Sequence, residues 1–377
     1  AWIEFFGMPV AYFPYLSSPD PTVKRKTGFL IPEFFSSSQI GYGVGTPFFW
    51  NIAPDRDLTL TPAVTTKQGV LMQAEWRQRL INGAYTIRAA GIMQQEKDAF
   101  TTTSNGVTEY LPGYRDDRGA IQSTGAFALN KFWTFGWDGT LVSDRTFLQD
   151  YNLISDGVTT KTSTVYLTGQ GDRSFFDVRG LYFLGLSVTD NQDLQPIVGT
   201  LNYNKVFDKP LWGGESGIKV NLTSLTRQEA DFIGTSALTS NTGAVGIPTG
   251  SCALMNPNPE QCLLRGARGD SPRLSAELYW KKAITDPMGQ IWTPFVTARV
   301  DVASVDTGYL PYSYMYGATL PGQNPLQSGS DDLIRGMPAV GLDYRYPFIA
   351  VESWGTQTLE PRAQLVIRPN ETDIGAF

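Results

Sequence analysis

Lys131-Phe132-Trp133-Thr134-Phe135-Gly136-Trp137-Asp138-Gly139-Thr140-Leu141 sets Trp133, Phe135, Trp137 and Leu141 against Thr134, Gly136, Asp138 and Thr140. Successive side chains of a β-strand point to opposite faces, so this stretch reads as a strand with one greasy and one wet side. The same period recurs along the chain. Leu274, Ala276, Leu278 and Trp280 alternate with Arg273, Ser275, Glu277 and Lys281. Val296, Ala298, Val300 and Val302 alternate with Thr297, Arg299 and Asp301. Val340, Leu342, Tyr344 and Tyr346 alternate with Gly341, Asp343 and Arg345, and Met72, Ala74 and Trp76 with Gln73, Glu75, Arg77 and Arg79. A soluble β-sandwich or β-helix also alternates. Three features weigh against it. Many runs are longer than the usual five or so residues of a soluble strand, the polar face carries full charges, and aromatics gather near strand ends as in the girdles of outer-membrane barrels. The expected class is all-β: an antiparallel transmembrane β-barrel of about 14 strands.

Composition removes competing classes. With 41% hydrophobic and 12% aromatic residues, the chain is too apolar to be disordered. Its net charge of −6 argues against a nucleic-acid binder. It has no His, so neither a Ser-His-Asp nor a Cys-His nucleophile is available, and two Cys cannot make a four-thiolate zinc site. Carboxylate-pair and Ser-Lys chemistry survive this exclusion, but no two of the scattered carboxylates can be paired for acid–base work from sequence. The reading is a non-enzyme without cofactor or metal. No run of 18 apolar residues occurs, which excludes a spanning helix and leaves a spanning barrel open. The chain opens on Ala1-Trp2-Ile3-Glu4, already patterned, and reads as a mature protein or a fragment.

Residues 1–36 are broken by Pro9, Pro14, Pro19, Pro21 and Pro32 and read as the end of another β domain with a linker; residues 37–377 read as hairpins. The first strands are expected near 38–50, 56–67, 69–80 and 84–95, with Asn82-Gly83 as a tight turn. Long joints fall at 96–117, 228–271 and 306–333. Short turns on one rim and long loops on the other is the outer-membrane arrangement, long loops outside. Cys252 and Cys262 lie in the longest joint, where a local disulfide is one reading; free thiols or bridges elsewhere are the others. Arg268-Gly269-Asp270 is read as a turn, and Asn221-Leu222-Thr223, inside a strand pattern, as a chance match to the glycosylation motif. Arg77, Arg79, Asp138, Arg299 and Arg345 are candidate lumen-facing charges.

Pro47 and Pro62 fall inside the first two expected strands. Proline lacks the ladder donor and is normally confined to edges or bulges. Two on neighbouring strands suggest a weakened seam; strand ends or an edge are the plainer alternative.

Three runs then carry a resemblance: Gly7-Met8-Pro9-Val10-Ala11-Tyr12-Phe13-Pro14-Tyr15-Leu16, Lys24-Arg25-Lys26-Thr27-Gly28-Phe29-Leu30-Ile31-Pro32 and Pro47-Phe48-Phe49-Trp50-Asn51-Ile52-Ala53-Pro54. With Gly113-Tyr114-Arg115 and Val142-Ser143-Asp144-Arg145-Thr146-Phe147-Leu148-Gln149-Asp150-Tyr151, they resemble the outer-membrane lipopolysaccharide-assembly family LptD. The resemblance implies a periplasmic β-jellyroll, of which 1–36 is the tail, and a barrel of twenty-six strands, of which 37–377 is the N-terminal part. It implies an LptE-type lipoprotein plug, an LptA-type periplasmic bridge that delivers lipopolysaccharide, and a lateral gate at the first strands, where Pro47 and Pro62 weaken pairing. The family's jellyroll-to-barrel cysteines lie outside this chain, which implies that Cys252 and Cys262 bridge locally. The implied location is the Gram-negative outer membrane. A passive outer-membrane porin or receptor barrel is the alternative function.

Overall fold

A computed structural model describes residues 2–5, 8–12, 25–104, 106–155, 157–188, 190, 192, 195–229, 231–234, 262–266, 268–307 and 329–370. The chain forms two compact units, Ala1–Ser123 with Leu141–Ile154, and Thr124–Thr140 with Ser155–Phe377. Among the described residues no helix is long and apolar enough to cross a membrane, and the regular structure is antiparallel strand apart from two four-residue helical turns. The expected all-β antiparallel class holds.

The second unit is a meander. Strands Trp133–Val142, Thr160–Gly171, Ser174–Gly185, Ile197–Val206, Glu215–Arg227, Gly269–Lys281, Ile291–Thr307, Gly329–Arg345 and Arg362–Ile367 follow one another in sequence order, each paired antiparallel to the next. Register carries the alternation of single strands across the sheet. One row runs Thr134–Thr168–Asp177–Asn202–Asn221–Ser275–Asp301–Arg335. The adjacent row runs Phe135–Leu167–Val178–Leu201–Leu222–Leu274–Val302–Ile334. Because the side-chain period is two, a one-residue slip in any pair would mix these rows. Glycines let aromatic rings lie flat across the wall: a Cβ on Gly136 would sit 2.4 Å from the Tyr166 ring. The apolar row is left bare by the protein, with Leu222, Leu274, Val302 and Ile334 at 39%, 41%, 41% and 76% exposure. A soluble sandwich would cover such a row with a second sheet.

The first unit pairs Arg56–Thr65, Gly69–Leu80 and Gly83–Met93 in the same manner. The tight turn falls at Ile81-Asn82, with Leu80 facing Gly83. The strand expected over 38–50 is two pieces, Gly41–Gly45 and Phe48–Ala53, both paired to Arg56–Thr65. Beside them lie Glu33–Ser37, paired to the first piece, and Gly28–Phe29, paired to the second. Strand pairing therefore reaches back to Gly28, before the division expected after residue 36. Of the prolines that suggested a linker, Pro32 falls between the Gly28–Phe29 and Glu33–Ser37 strands, and Pro14, Pro19 and Pro21 lie outside the described residues. A separate hairpin joins Trp2–Phe5 to Met8–Tyr12.

Three expected joints carry structure of their own. Thr101–Ser104 pairs with Val107–Tyr110, and Asp231–Gly234 with Cys262–Gly266. Ile291–Thr307 and Gly329–Arg345 run together for seventeen residues into the third joint. A further hairpin, Phe348–Glu352 with Gly355–Leu359, has no counterpart in the sequence reading.

Candidate functional site

The first unit contains a line of prolines. Between the Phe29–Phe48 and Glu33–Gly45 pairs, residues 30–32 oppose only Thr46 and Pro47. This is a bulge at Pro32, which bends the strand and interrupts its ladder. The Leu30 N–H donates to the Pro47 carbonyl at 2.8 Å, and the Thr46 N–H donates to the Pro62 carbonyl at 3.1 Å. Residues facing one another in this way normally exchange two bonds. Each return bond would need a proline N–H, which does not exist. Successive seams, 28–37 against 41–53 and 41–53 against 56–65, thus lack one bond at the same level. Pro47 and Pro62 are brought together by register, as neighbours across that break.

Both ends of the weak stretch are fastened. At one end Asp57, 1% exposed, accepts from the Arg77 Nε at 2.7 Å and from the Arg25 guanidinium. Both guanidiniums also lie over the Phe49 ring, at 5.8 and 5.9 Å. At the other end the buried Gln68 amide donates to the carbonyls of Gln39 and Glu96 at 2.8 and 2.9 Å, and its carbonyl accepts from the Glu96 N–H. The Lys67 ammonium donates to the Ser38 carbonyl at 2.8 Å.

A cavity of about 420 Å³ opens beside this break, walled by Glu33, Pro47, Thr59, Thr61, Gln73, Glu75, Arg77 and Arg88. Its far wall comes from Leu148, Tyr151, Asn152 and Leu153. That wall is held by a buried ion network which the sequence reading did not single out. Arg118, with a fully buried side chain, donates to Asp144 at 2.6 and 2.8 Å, to Asp150 at 2.7 Å and to Thr146 at 3.1 Å. Its guanidinium lies over the rings of Phe100, Phe147 and Tyr151 at 4.6–5.4 Å. The short helix Phe147–Asp150 and the turn before it are thereby pinned to the Asp117–Ala128 strand. Burial pushes the Asp144 carboxyl up, but the Arg118 bond and charge, with the Ser143 and Thr146 hydroxyls, outweigh it and hold it below the usual carboxylate range. Burial raises the Tyr151 hydroxyl, which donates to Gln94 at 2.7 Å. The only foretaste in the sequence was the Ser143–Tyr151 run.

The other expected residues are placed as follows. Arg77 sits in the cavity wall and on the Asp57 clamp. Arg79 lies on the same face of the same strand, its N–H donating to the Asp55 carbonyl at 2.7 Å. In the second unit Asp138 lies 3.4 Å from the Lys161 ammonium, Arg299 binds Asp301 at 2.9 Å, and Arg345 lies 3.8 Å from Glu360. These are separate contacts along one polar face and not a single centre. Cys252 lies outside the described residues, and Cys262 opens the Cys262–Gly266 strand. Among the described residues no group of carboxylates and thiols could hold a metal ion.

The comparisons agree with the resemblance. Residues 116–377 match the model of the family LptD: LPS transport system D. The LPS-assembly protein LptD of Pectobacterium atrosepticum is 34% identical over 165 residues, covering 42% of this chain and 20% of that protein. Its counterpart in Pseudomonas fluorescens is 25% identical over 98% of this chain and 39% of its own length, and that of Xanthomonas euvesicatoria 26% identical over 100% and 43%. The chain thus spans less than half the length of these relatives. A solved structure titled bacterial polysaccharide outer membrane secretin aligns over 88% of this chain and 90% of its own at a TM-score of 0.29 and 12% identity, too slight a likeness to bear on the fold. On the match over 116–377, the chain belongs to the LptD family.

Proposed function

We propose that this chain is part of an outer-membrane wall that exports lipopolysaccharide, releasing it sideways at the proline-weakened first strands. The observation that carries the reading is the pair of missing return bonds at Pro47 and Pro62, level with one another and beside a polar cavity. The bare apolar row supports contact with lipid. A strand of 10–12 residues is roughly 33–40 Å long, enough at a tilt near 45° to cross the apolar band of an outer-membrane barrel.

The transport logic follows from the cargo's chemistry. A sugar-phosphate head is expensive to bury in hydrocarbon, whereas acyl chains are at home there. A wall with one wet face and a seam that opens at low cost lets the head keep to water while the chains enter lipid. In hydrocarbon each unmade ladder bond is worth several kcal/mol. Where proline has already removed the donor, opening forfeits less. Arg77, Arg79, Asp138, Arg299 and Arg345 belong, on this reading, to the water-filled side. Of the expected 1–36, the part ahead of Gly28 is, on this reading, the end of the periplasmic jellyroll that receives lipid from an LptA-type bridge, and an LptE-type lipoprotein fills the lumen. A local Cys252–Cys262 bridge would tie one outer loop.

Depletion of the full-length protein in cells, followed by analysis of surface lipid, tests this against a passive porin. Loss of newly made lipopolysaccharide from the surface is expected. Surface lipopolysaccharide at its normal level after depletion, with only solute uptake reduced, would favour the porin instead.

A further inference from the structure

Asp301, 1% exposed, collects three arginines on the polar face of the second unit. Arg299 donates to it through Nη2 at 2.9 Å, Arg335 through Nη2 at 3.0 Å, and Arg273 at 3.4 Å. The Ser275 hydroxyl adds a further bond at 2.5 Å. One carboxylate balances one guanidinium. With the Lys219–Glu277 pair included, the cations Arg273, Arg299 and Lys219 stand at the cavity against the carboxylates of Glu277 and Asp301.

A guanidinium carries five donors in a planar fork that matches phosphate oxygens. Asp301 fixes three such forks while consuming part of their donors, and Arg273, its side chain 49% exposed, is held most loosely. Arg273 and Arg299 line a cavity of about 630 Å³ whose wall is otherwise mostly amide and hydroxyl, from Asn202, Asn204, Asn221, Thr223 and Ser271, with Val220 and Leu225 between them. The Asn221 amide donates to Asn202 at 2.7 Å, which orders part of that wall. Amides and hydroxyls around a cationic fork suit a hydroxyl-rich, phosphorylated ligand. Val220 and Leu225 are only half-buried, and no aromatic side chain lines the cavity, whereas a protein interface concentrates its binding on buried aromatic anchors.

We propose that Arg273 and Arg299, oriented by Asp301, form a subsite for the phosphorylated sugar of the exported glycolipid. The proposal rests on the export reading above. It gives the second unit a direct contact with cargo, separate from the proline seam.

The test is photocrosslinking in living cells, with a photoreactive residue at Asn221 or, in a second strain, at Thr59 in the seam cavity of the full-length protein. Adducts are probed for lipopolysaccharide. At Asn221 the adduct is expected to fall about tenfold in Arg273→Gln, as loss of a charged hydrogen bond predicts, and to fall likewise in cells whose lipopolysaccharide core lacks phosphate. Arg273→Gln leaves Asp301 with Arg299 and Arg335, and the phosphate-free arm needs no substitution in the patch. A lipid adduct at Thr59 without one at Asn221 overturns the subsite and leaves export standing. Adducts at neither position overturn both. An Asn221 adduct that is indifferent to both arms, or that joins a protein in place of the lipid, also overturns the subsite.

Discussion

Arg118 shows how much one side chain can fix. Its charge is buried, and its partners come from a turn and a short helix far along the chain. Replacing it with Met strands the buried Asp144, and breaking such a pair costs about 3–5 kcal/mol. We expect Arg118→Met to release residues 143–154, read as new protease cleavage there with strand pairing retained; an uncut loop would contradict this. Acid should act in the same direction. Asp144 is held below its ordinary range, so its contribution is fully present above that range and is lost as pH falls through the lower folded value. Cleavage should therefore appear below about pH 4 and be absent near neutrality. Cleavage that rose with increasing pH would reverse the sign and refute the assignment.

Residue chemistry also marks the limit of reading a sequence. Pro47 and Pro62 announced themselves, because a missing donor is visible in the letter. Asp57, Asp301 and Arg118 did not, since a buried ion pair depends on partners that only register and loop folding bring near. Asp301 lay within an alternation correctly assigned to the polar face, but its three arginines sit on three different strands.

At the scale of elements, period-two alternation was enough to place the long strands and their faces. It failed where the backbone leaves the ladder. Pro32 and Pro47 each divide a strand, so the outermost strands of the first unit read as a linker and a single strand respectively. Hairpins within the joints were missed because short polar strands have no greasy face to advertise them, as Thr101–Ser104 illustrates. The divided strands make a prediction. Amide exchange follows local opening. In hydrogen-exchange measurements on the protein in micelles, peptides covering 28–48 should exchange well before those covering 69–93. Equal or later exchange in 28–48 would mean that the bulge and prolines do not soften the seam.

For the molecule as a whole, the two continuous rows of the second unit are the feature with most consequence. An apolar row that runs across eight strands and lies bare on four of them asks for lipid, while its polar neighbour carries Asp177, Asp301 and Arg335. Leu274→Arg should therefore destabilise folding into lipid vesicles by about 2–4 kcal/mol if the position lies near the midplane. Thr200→Arg, on the other face, should change stability far less. Equal penalties would deny the wall its sidedness.

The central claim is that the wall is weak at its first strands and that export uses the weakness. It is tested most directly by giving both prolines back their donors, Pro47→Ala with Pro62→Ala, in the full-length protein and timing the arrival of new lipopolysaccharide at the cell surface. Restored return bonds at Leu30 and Thr46 should slow that arrival while protein level and assembly stay normal. Arrival at the unaltered rate, with both bonds shown by exchange to have formed, would contradict the account.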